Sequence, residues 1–229
     1  MNKFKKIKYA RSENWINPPS PTKNFIPKWY KDSPLFLNDK MKVENYSTNK
    51  TFKACIPFLE SLRIGYVIEL WTDVVVESVN GIPKVSWPSQ LDPISIRPED
   101  KILPRPDGTY KTNFIWNTQH ILKLPKGYSC LFTHPLNRHD LPFISLSGVV
   151  DNDTHALGQG SYPFFIKDGF EGIIPAGTPI LQMIPFKRDS WKLEEDLSLI
   201  DEVSILSKKS NALISGFYKK NIWKKKDYS

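Results

Sequence analysis

The sequence predicts an all-β protein, an antiparallel β-sandwich of jelly-roll or cupin-like type with an extended N-terminal arm and a C-terminal helix. Nineteen prolines and only eleven glycines occur in 229 residues. Because proline is excluded from helix and sheet interiors, this composition favours many short strands joined by turns. Apolar and aromatic runs recur between turn residues through the middle of the chain. The strand–helix alternation of a parallel sheet is missing from the sequence. A β-clip barrel is the competing architecture.

Residues 1–50 are predicted to form an extended arm that is rich in proline and aromatic residues. In "RSENWINPPSPTKNFIPKWYKDSPLF" (residues 11–36), prolines remove backbone donors and fix φ, so no regular element is expected to run through the stretch. Its aromatic side chains require burial, which indicates an arm pinned across a preformed surface. "PKWYKD" suits a single helical turn.

The sandwich core is predicted at residues 51–192. Apolar spacing in "TFKACIPFLESLRIG" predicts a short helix from about Pro57. "YVIELWTDVVVES" predicts one long strand, bulged near Asp73. Asn80 and Gly81 then predict a tight hairpin, with "IPKVSWPS" as the returning strand. Further strands are predicted in "ISIRPE", "FIWNTQHILKLP", "YSCLFTHPL", "FISLSGVVD", "YPFFIKDG", "EGIIPAG" and "PILQMIPFKR".

Residues 193–229 are predicted to form a C-terminal helix of roughly four to six turns and a basic tail. Leu197, Ile200, Val203 and Leu206 recur at threefold spacing, with carboxylates early and lysines late. This order of charges complements a helix dipole. The apolar face is expected to lie on the sheet or on a partner.

The formal net charge of +8 is concentrated at the two ends, "MNKFKKIK" and "YKKNIWKKKDYS", which hold nine lysines. Such ends keep a protein in solution or touch an acidic partner, so a protein partner or self-assembly is expected, with nucleic-acid contact as a weaker expectation. The N-terminus lacks the apolar stretch of a signal peptide, and no apolar run approaches the roughly 20 residues that span a bilayer. No membrane association is therefore expected.

The two cysteines, Cys55 and Cys130, lie in apolar settings 75 positions apart. Each is expected to be a buried small hydrophobic residue. A lone pair does not establish a disulfide, and no CxxC zinc signature is present.

Five stretches of the chain carry a likeness to known proteins: "IPKWYKD", "FKACIPFLESLRIGYVIEL", "LPKGYSCLFTHPLNRHDLPFISLSGVVDNDT", "PFFIKDGFEGIIPAGTPILQMIPFKRDSWK" and "FYKKNIWKKKDY". Together they hold 99 of the 229 residues, and in this order they resemble a family of uncharacterised proteins encoded by marine tailed bacteriophages. A weaker likeness extends to uncharacterised bacterial proteins with a similar proline–asparagine loop. The resemblance implies a phage origin and an all-β core, but no activity. The expected location is the virion or the host cytoplasm.

The segment "FEGIIPAGTPILQMIPF" is similar to a hairpin of the trimeric dUTPase and dCTP-deaminase fold, where a turn precedes a strand that ends near a glutamine. The sequence has no nucleotide motif of that fold, so no nucleotide-binding residues are transferred. A nucleotide enzyme of dUTPase/dCTP-deaminase type is kept as a further alternative.

Three of the four histidines lie in "HPLNRHDLPFISLSGVVDNDTH", residues 134–155. A catalytic metal needs three or four converging ligands, and the H-x-H or H-x-D pair of cupin-type oxygenases is not present. A structural turn is therefore favoured, and no cofactor is expected. The alternative is a metal-dependent cupin or oxygenase-like enzyme with Fe or another divalent metal, whose candidate ligands are His134, His139, Asp151, Asp153 and His155.

Aromatic and amide side chains also suggest a binding surface for a sugar, a base or a peptide. On "FIWNTQH", alternate residues would face opposite sides of a strand. The candidate ligand-binding residues are Trp71, Trp116, Asn117, Gln119, His120, Asn137 and Arg138.

No nucleophile elbow, P-loop or dinucleotide-binding glycine motif occurs in the sequence, so no catalytic residue is assigned. The leading expectation is a non-enzymatic phage protein, either a virion component or a host-directed binding factor.

Overall fold

The computed structural model describes residues 5–43, 46–97, 105–154, 160–204 and 221–228. Every pairing between the described strands is antiparallel, and the all-β prediction is confirmed. In chain order the strands are β1 Lys8–Arg11, β2 Ser20–Pro21, β3 Phe36–Val43, β4 Tyr46–Lys50, β5 Tyr66–Glu69, β6 Val74–Val79, β7 Ile82–Ser86, β8 Ile94–Ile96, β9 Phe114–Asn117, β10 His120–Lys123, β11 Tyr128–Thr133, β12 Phe143–Ser145, β13 Gly148–Val150, β14 Ser161–Ile166, β15 Gly172–Ile174 and β16 Pro179–Lys187.

The chain is divided into two compact units. The first consists of Met1–Lys31, Ser61–Arg188 and Tyr228–Ser229, and the second of Asp32–Glu60 and Asp189–Asp227. The boundaries expected from the sequence, after residues 50 and 192, stay predictions. Among the described residues, no helix combines the length and the apolar character needed to cross a bilayer.

The first unit contains the β-sandwich. One sheet has the strand order β13-β11-β16-β5-β2 and another has the order β12-β14-β9-β8. Phe132 of the first sheet packs against Tyr162 of the second, with ring centroids 4.7 Å apart. The core between them is aromatic, because Phe114, Trp116 and Phe164 are fully buried. A third sheet, β15-β6-β7, and the pair β1-β10 complete the unit. The jelly-roll or cupin-like assignment stays a prediction.

The prediction of single strands is wrong at three places, because the chain passes from one sheet to another. "FISLSGVVD" is divided into β12 and β13, which belong to different sheets. The stretch from residue 66 to residue 79 is divided into β5 and β6, which belong to different sheets, and residues 70–73 make the passage. "FIWNTQHILKLP" is divided into β9 and β10, and Gln119 between them has φ 58°. A left-handed backbone cannot continue a strand.

Local turn and helix predictions are confirmed. Asn80 and Gly81 have φ 54° and 76°, as a type I′ turn requires, and they join β6 to β7. Helix α1 spans Lys28–Asp32, within "PKWYKD". Helix α2 spans Ile56–Ser61 and places Pro57 in its first turn, where a missing N–H costs nothing.

The second unit contains the β3-β4 hairpin, α2 and a short helical stretch at residues 199–204. The hairpin lies inside the stretch that was expected to form an extended arm. Residues 193–198 are not helical, although the sequence predicts a helix from residue 193. Residues 205–220, including Leu206, lie outside the described residues.

The two cysteines differ in burial. Cys130 is fully buried in β11, as expected, and burial raises the pKa of its thiol. Cys55 is exposed, so the prediction of a buried side chain is wrong there. It lies next to α2, in the second unit, rather than in the sandwich core. Both cysteines are free thiols.

Candidate functional site

His134 anchors the loop that follows β11. Its Nε2 donates to the carbonyl oxygen of Arg138 at 3.0 Å, and its Nδ1 accepts from the backbone N–H of Ser145 at 3.3 Å. Burial lowers the pKa of the imidazole, against the effect of the Arg138 carbonyl. Both ring nitrogens of the neutral imidazole are therefore used within the protein, and neither is free to bind a metal.

Asn137 and Arg138 hold the same loop against the rest of the first unit. Asn137 has φ 60°, and its Nδ2 donates to Ser61 Oγ at 2.6 Å rather than to a backbone oxygen. Arg138 pairs with Asp140 through Nε and Nη2, both at 2.9 Å. Burial tends to raise the pKa of Asp140, but Arg138 outweighs this effect and the pKa is lowered. These two candidate ligand-binding residues are structural.

Asp151 and Asp153 face the guanidinium of Arg188. Asp153 also accepts from the Gly127 N–H at 2.7 Å, and its side chain is only 2% exposed. Asp151 lies 3.2 Å from Arg188 Nη1 and accepts from the hydroxyl of Ser129. The hydrogen bond from Arg188 lowers the pKa of Asp153 to about 2. Both carboxylates are thus used by protein donors.

Of the two remaining metal candidates, His139 lies among the described residues. His139 is exposed, and its carbonyl oxygen, not its ring, accepts from Lys167 at 2.5 Å. His155 lies outside the described residues. Within the described part of the chain, no three His, Cys, Asp or Glu side chains are grouped as metal ligands.

The tryptophans of the predicted binding surface belong to the core. Trp116 is fully buried, and its Nε1 donates to Ser145 Oγ at 3.0 Å. Trp71 is 9% exposed and donates to the carbonyl oxygen of Asn117 at 3.0 Å. Asn117 itself donates from Nδ2 to the carbonyl oxygen of Asp92 at 3.1 Å. Gln119 occupies the left-handed position between β9 and β10. These contacts lie where the chain passes from β9 to β10, and a role of these residues in ligand binding stays a prediction.

His120, a member of the candidate ligand-binding set, borders a cavity of the first unit. The cavity has a volume of about 340 Å³, and Phe132, Tyr162 and Asn152 also line it. His120 Nε2 donates to the carbonyl oxygen of Asn17 at 2.8 Å. Burial lowers the pKa of the ring, which is therefore neutral near pH 7. Its Nδ1 has no hydrogen-bond partner among the described residues.

A second cavity, of about 410 Å³, lies beside the N-terminal strand, and its lining combines lysines with apolar side chains. We call it the basic groove. Lys5 at its edge hydrogen-bonds the hydroxyl of Tyr128 and lies 4.2 Å from the centroid of that ring. The lysines of this groove belong to the stretch "KFKKIKY" at the N-terminal end. From its charge alone, the sequence predicts that this end is solvated or contacts an acidic partner. The groove is lined by Lys5, Lys6, Ile7, Lys8, Tyr9, Pro19, Pro21, Tyr66, Leu122 and Met183.

Residues 189–204 of the second unit expose a set of large apolar side chains. We call this stretch the acidic–apolar segment, because it also carries six carboxylates and one lysine, a net charge of −5. Of these side chains, the sequence analysis singled out Leu197, Ile200 and Val203, and it predicted that they lie on a helix face packed on the sheet or on a partner. The exposed fractions are 90% for Trp191, 100% for Leu193, 69% for Leu197, 52% for Leu199, 67% for Ile200 and 63% for Val203.

No protein-family model matches the chain, and no curated protein matches it.

Proposed function

We propose that the protein is a non-enzymatic phage protein, a virion component or a host-directed binding factor, that binds another protein chain through the acidic–apolar segment. The observation that carries the proposal is the exposure of six large apolar side chains within sixteen residues. The resemblance to phage-encoded proteins supports the biological setting.

The exposed side chains supply enough apolar area to drive association. Burying one such side chain contributes about 1.5–3 kcal/mol. Because the six side chains are between 52% and 100% exposed, their complete burial contributes at most roughly 9–18 kcal/mol, which is of the same order as the estimated 4–15 kcal/mol cost of bringing two molecules together. Apolar patches of this kind on a protein surface mark interaction sites.

The charge of the segment restricts the choice of partner. Glu194, Glu195 and Asp196 are exposed and lie between Leu193 and Leu197. A partner must therefore offer basic groups beside an apolar surface, because like charges across an interface are repulsive.

Zero-length cross-linking in purified virions and in infected cells, followed by mass spectrometry, tests the proposal. We expect cross-links from residues 189–204 to a second chain. The variant Trp191→Ser/Leu193→Ser/Leu197→Ser should lose them. Ile82→Ser/Val149→Ser/Ile173→Ser should keep them, because these three residues are also exposed, by 59%, 61% and 60%, but belong to the other unit.

The possible results separate the versions of the proposal. Cross-links within particles select the virion component, whereas cross-links to a host chain without presence in particles select the host-directed factor. If the segment forms no cross-link to any second chain in either setting, the proposal is wrong.

No observation on the described residues specifically favours the metal-dependent enzyme or the nucleotide enzyme. The described metal candidates hold protein hydrogen bonds or stand apart. The segment that resembles a dUTPase-type hairpin is divided between sheets, since β15 pairs with β6 whereas β16 pairs with β5 and β11.

A further inference from the structure

We infer that the partner of the acidic–apolar segment is a second copy of this chain, whose basic groove receives the segment. The inference rests on the proposed function, because it names the partner of the same segment. It is carried by two surfaces of one sequence that match in both charge and apolar character.

The basic groove has the two properties that the segment requires. Lys6 and Lys8 are exposed, and with Lys5 they give its rim three positive charges. Leu122 and Met183 at its base are 5% and 1% exposed, so the apolar surface below the rim is fixed by the core. Its volume of about 410 Å³ falls within the range of ligand pockets, about 300–1,000 Å³.

The groove is formed before any partner arrives. Strand β1 is paired along its whole length with β10, from Lys8 opposite Lys123 to Arg11 opposite His120. Lys5 is held at the edge by the ring of Tyr128. A preformed site loses little conformational freedom on binding, which favours affinity.

The segment supplies the complementary chemistry. Carboxylates of Glu194, Glu195 and Asp196 can pair with the rim lysines, while neighbouring large apolar side chains enter the groove. Exposed ion pairs mainly fix the register and exclude wrong partners, whereas apolar burial provides the affinity. Assembly should therefore weaken with salt without disappearing.

The two surfaces are different parts of the chain, so the contact is heterologous. After the first contact, one copy keeps an unused groove and the other keeps an unused segment. Such contacts close into rings or extend into filaments. Assembly should therefore continue beyond the dimer as the protein concentration rises.

Sedimentation velocity of the full-length protein over a wide concentration range tests the inference. We expect the mean mass to rise with concentration. Lys5→Glu/Lys6→Glu/Lys8→Glu and Glu194→Lys/Glu195→Lys/Asp196→Lys should each weaken self-association by about tenfold or more. An equimolar mixture of these two variants should associate again, because each reversed surface then meets a complementary one.

Two controls make the result specific. Lys84→Glu/Lys111→Glu/Lys126→Glu changes the net charge by the same amount at other exposed lysines of the first unit and should self-associate as the wild type does. In a mixture of unlabelled and isotope-labelled protein, a carbodiimide should join Lys5, Lys6 or Lys8 of one copy to Glu194, Glu195 or Asp196 of the other.

A protein that stays monomeric at all concentrations would overturn the inference, as would loss of assembly in the control variant. If the cross-linking in virions and cells nevertheless shows a different partner on residues 189–204, the proposed function stands and only the second copy is excluded.

Discussion

The indole of Trp116 stacks on the ring of Phe164, with centroids 3.6 Å apart and planes inclined by 5°. The two residues lie on the neighbouring strands β9 and β14, and both are fully buried. Phe143 meets the edge of the same indole at 5.0 Å. The Trp116–Phe164 stack therefore lies at the centre of the aromatic core.

Removal of the indole is expected to be costly. Trp116→Ala should lower the free energy of unfolding by about 3–5 kcal/mol, because it leaves a cavity and removes the donor to Ser145 Oγ. Trp191→Ala, at a residue that is 90% exposed, should change it by less than about 0.5 kcal/mol. Urea unfolding at low protein concentration measures both. Equal costs would show that Trp116 is not a core residue.

The two histidines of the loop after β11 should respond differently to substitution. His134→Ala leaves the Ser145 N–H and the Arg138 carbonyl without their partner and should cost about 1–3 kcal/mol. His139→Ala should cost less than about 0.5 kcal/mol, because the side chain is exposed. Melting curves measured with and without a chelator check this. A chelator effect in the wild type that is lost in both variants would support a metal site instead.

Two glycines with positive φ should differ in sensitivity because of their surroundings. Gly81→Ala in the β6-β7 turn meets no atom within 4 Å, so it should cost only the backbone strain, about 1–2 kcal/mol. Gly65 immediately precedes β5. Gly65→Ala adds to the backbone strain a methyl group that overlaps the carbonyl oxygen of Met183. Its cost should clearly exceed that of Gly81→Ala in denaturant unfolding. A cost below that of Gly81→Ala would contradict the close approach at Gly65.

Stability should fall when the pH drops below about 6.5. Burial lowers the pKa of His120 and His134 in the folded protein, whereas the unfolded chain keeps values near 6.5. Below that pH the unfolded state binds more protons than the folded state, so the free energy of unfolding decreases. Urea unfolding between pH 8 and pH 5 measures the effect. The dependence should flatten in His120→Gln and persist in His139→Gln.

The sequence predicted features that depend on neighbouring residues alone. Asn80 and Gly81 determine a turn by their own backbone preferences, and Pro57 fits only the first turn of a helix. The strand breaks near Leu70 and Gln119 were not visible, because both stretches keep an apolar pattern through the crossing. Each stretch is divided because its two halves pair in different sheets. Most of the strands with which they pair lie far away in sequence.

The candidate site was predicted less well than the fold, for a related reason. Residue types suited to ligands, such as Trp116, Asn137 and Arg138, are also suited to filling a core and closing a loop. Their partners, Ser145, Ser61 and Asp140, decide between the roles, and two of these three lie far away in sequence. The basic groove was hidden because its apolar base comes from β5, β10 and β16 whereas its lysines come from the N-terminus.

The pairing of β1 with β10 determines how early in synthesis β1 can fold. Among the described strands, residues 8–11 pair with residues 120–123, so β1 cannot take its place in this pair until residues 120–123 have been synthesised. Docking of β1 therefore belongs to the late events of folding, and the groove cannot exist on a nascent chain that ends before residue 120.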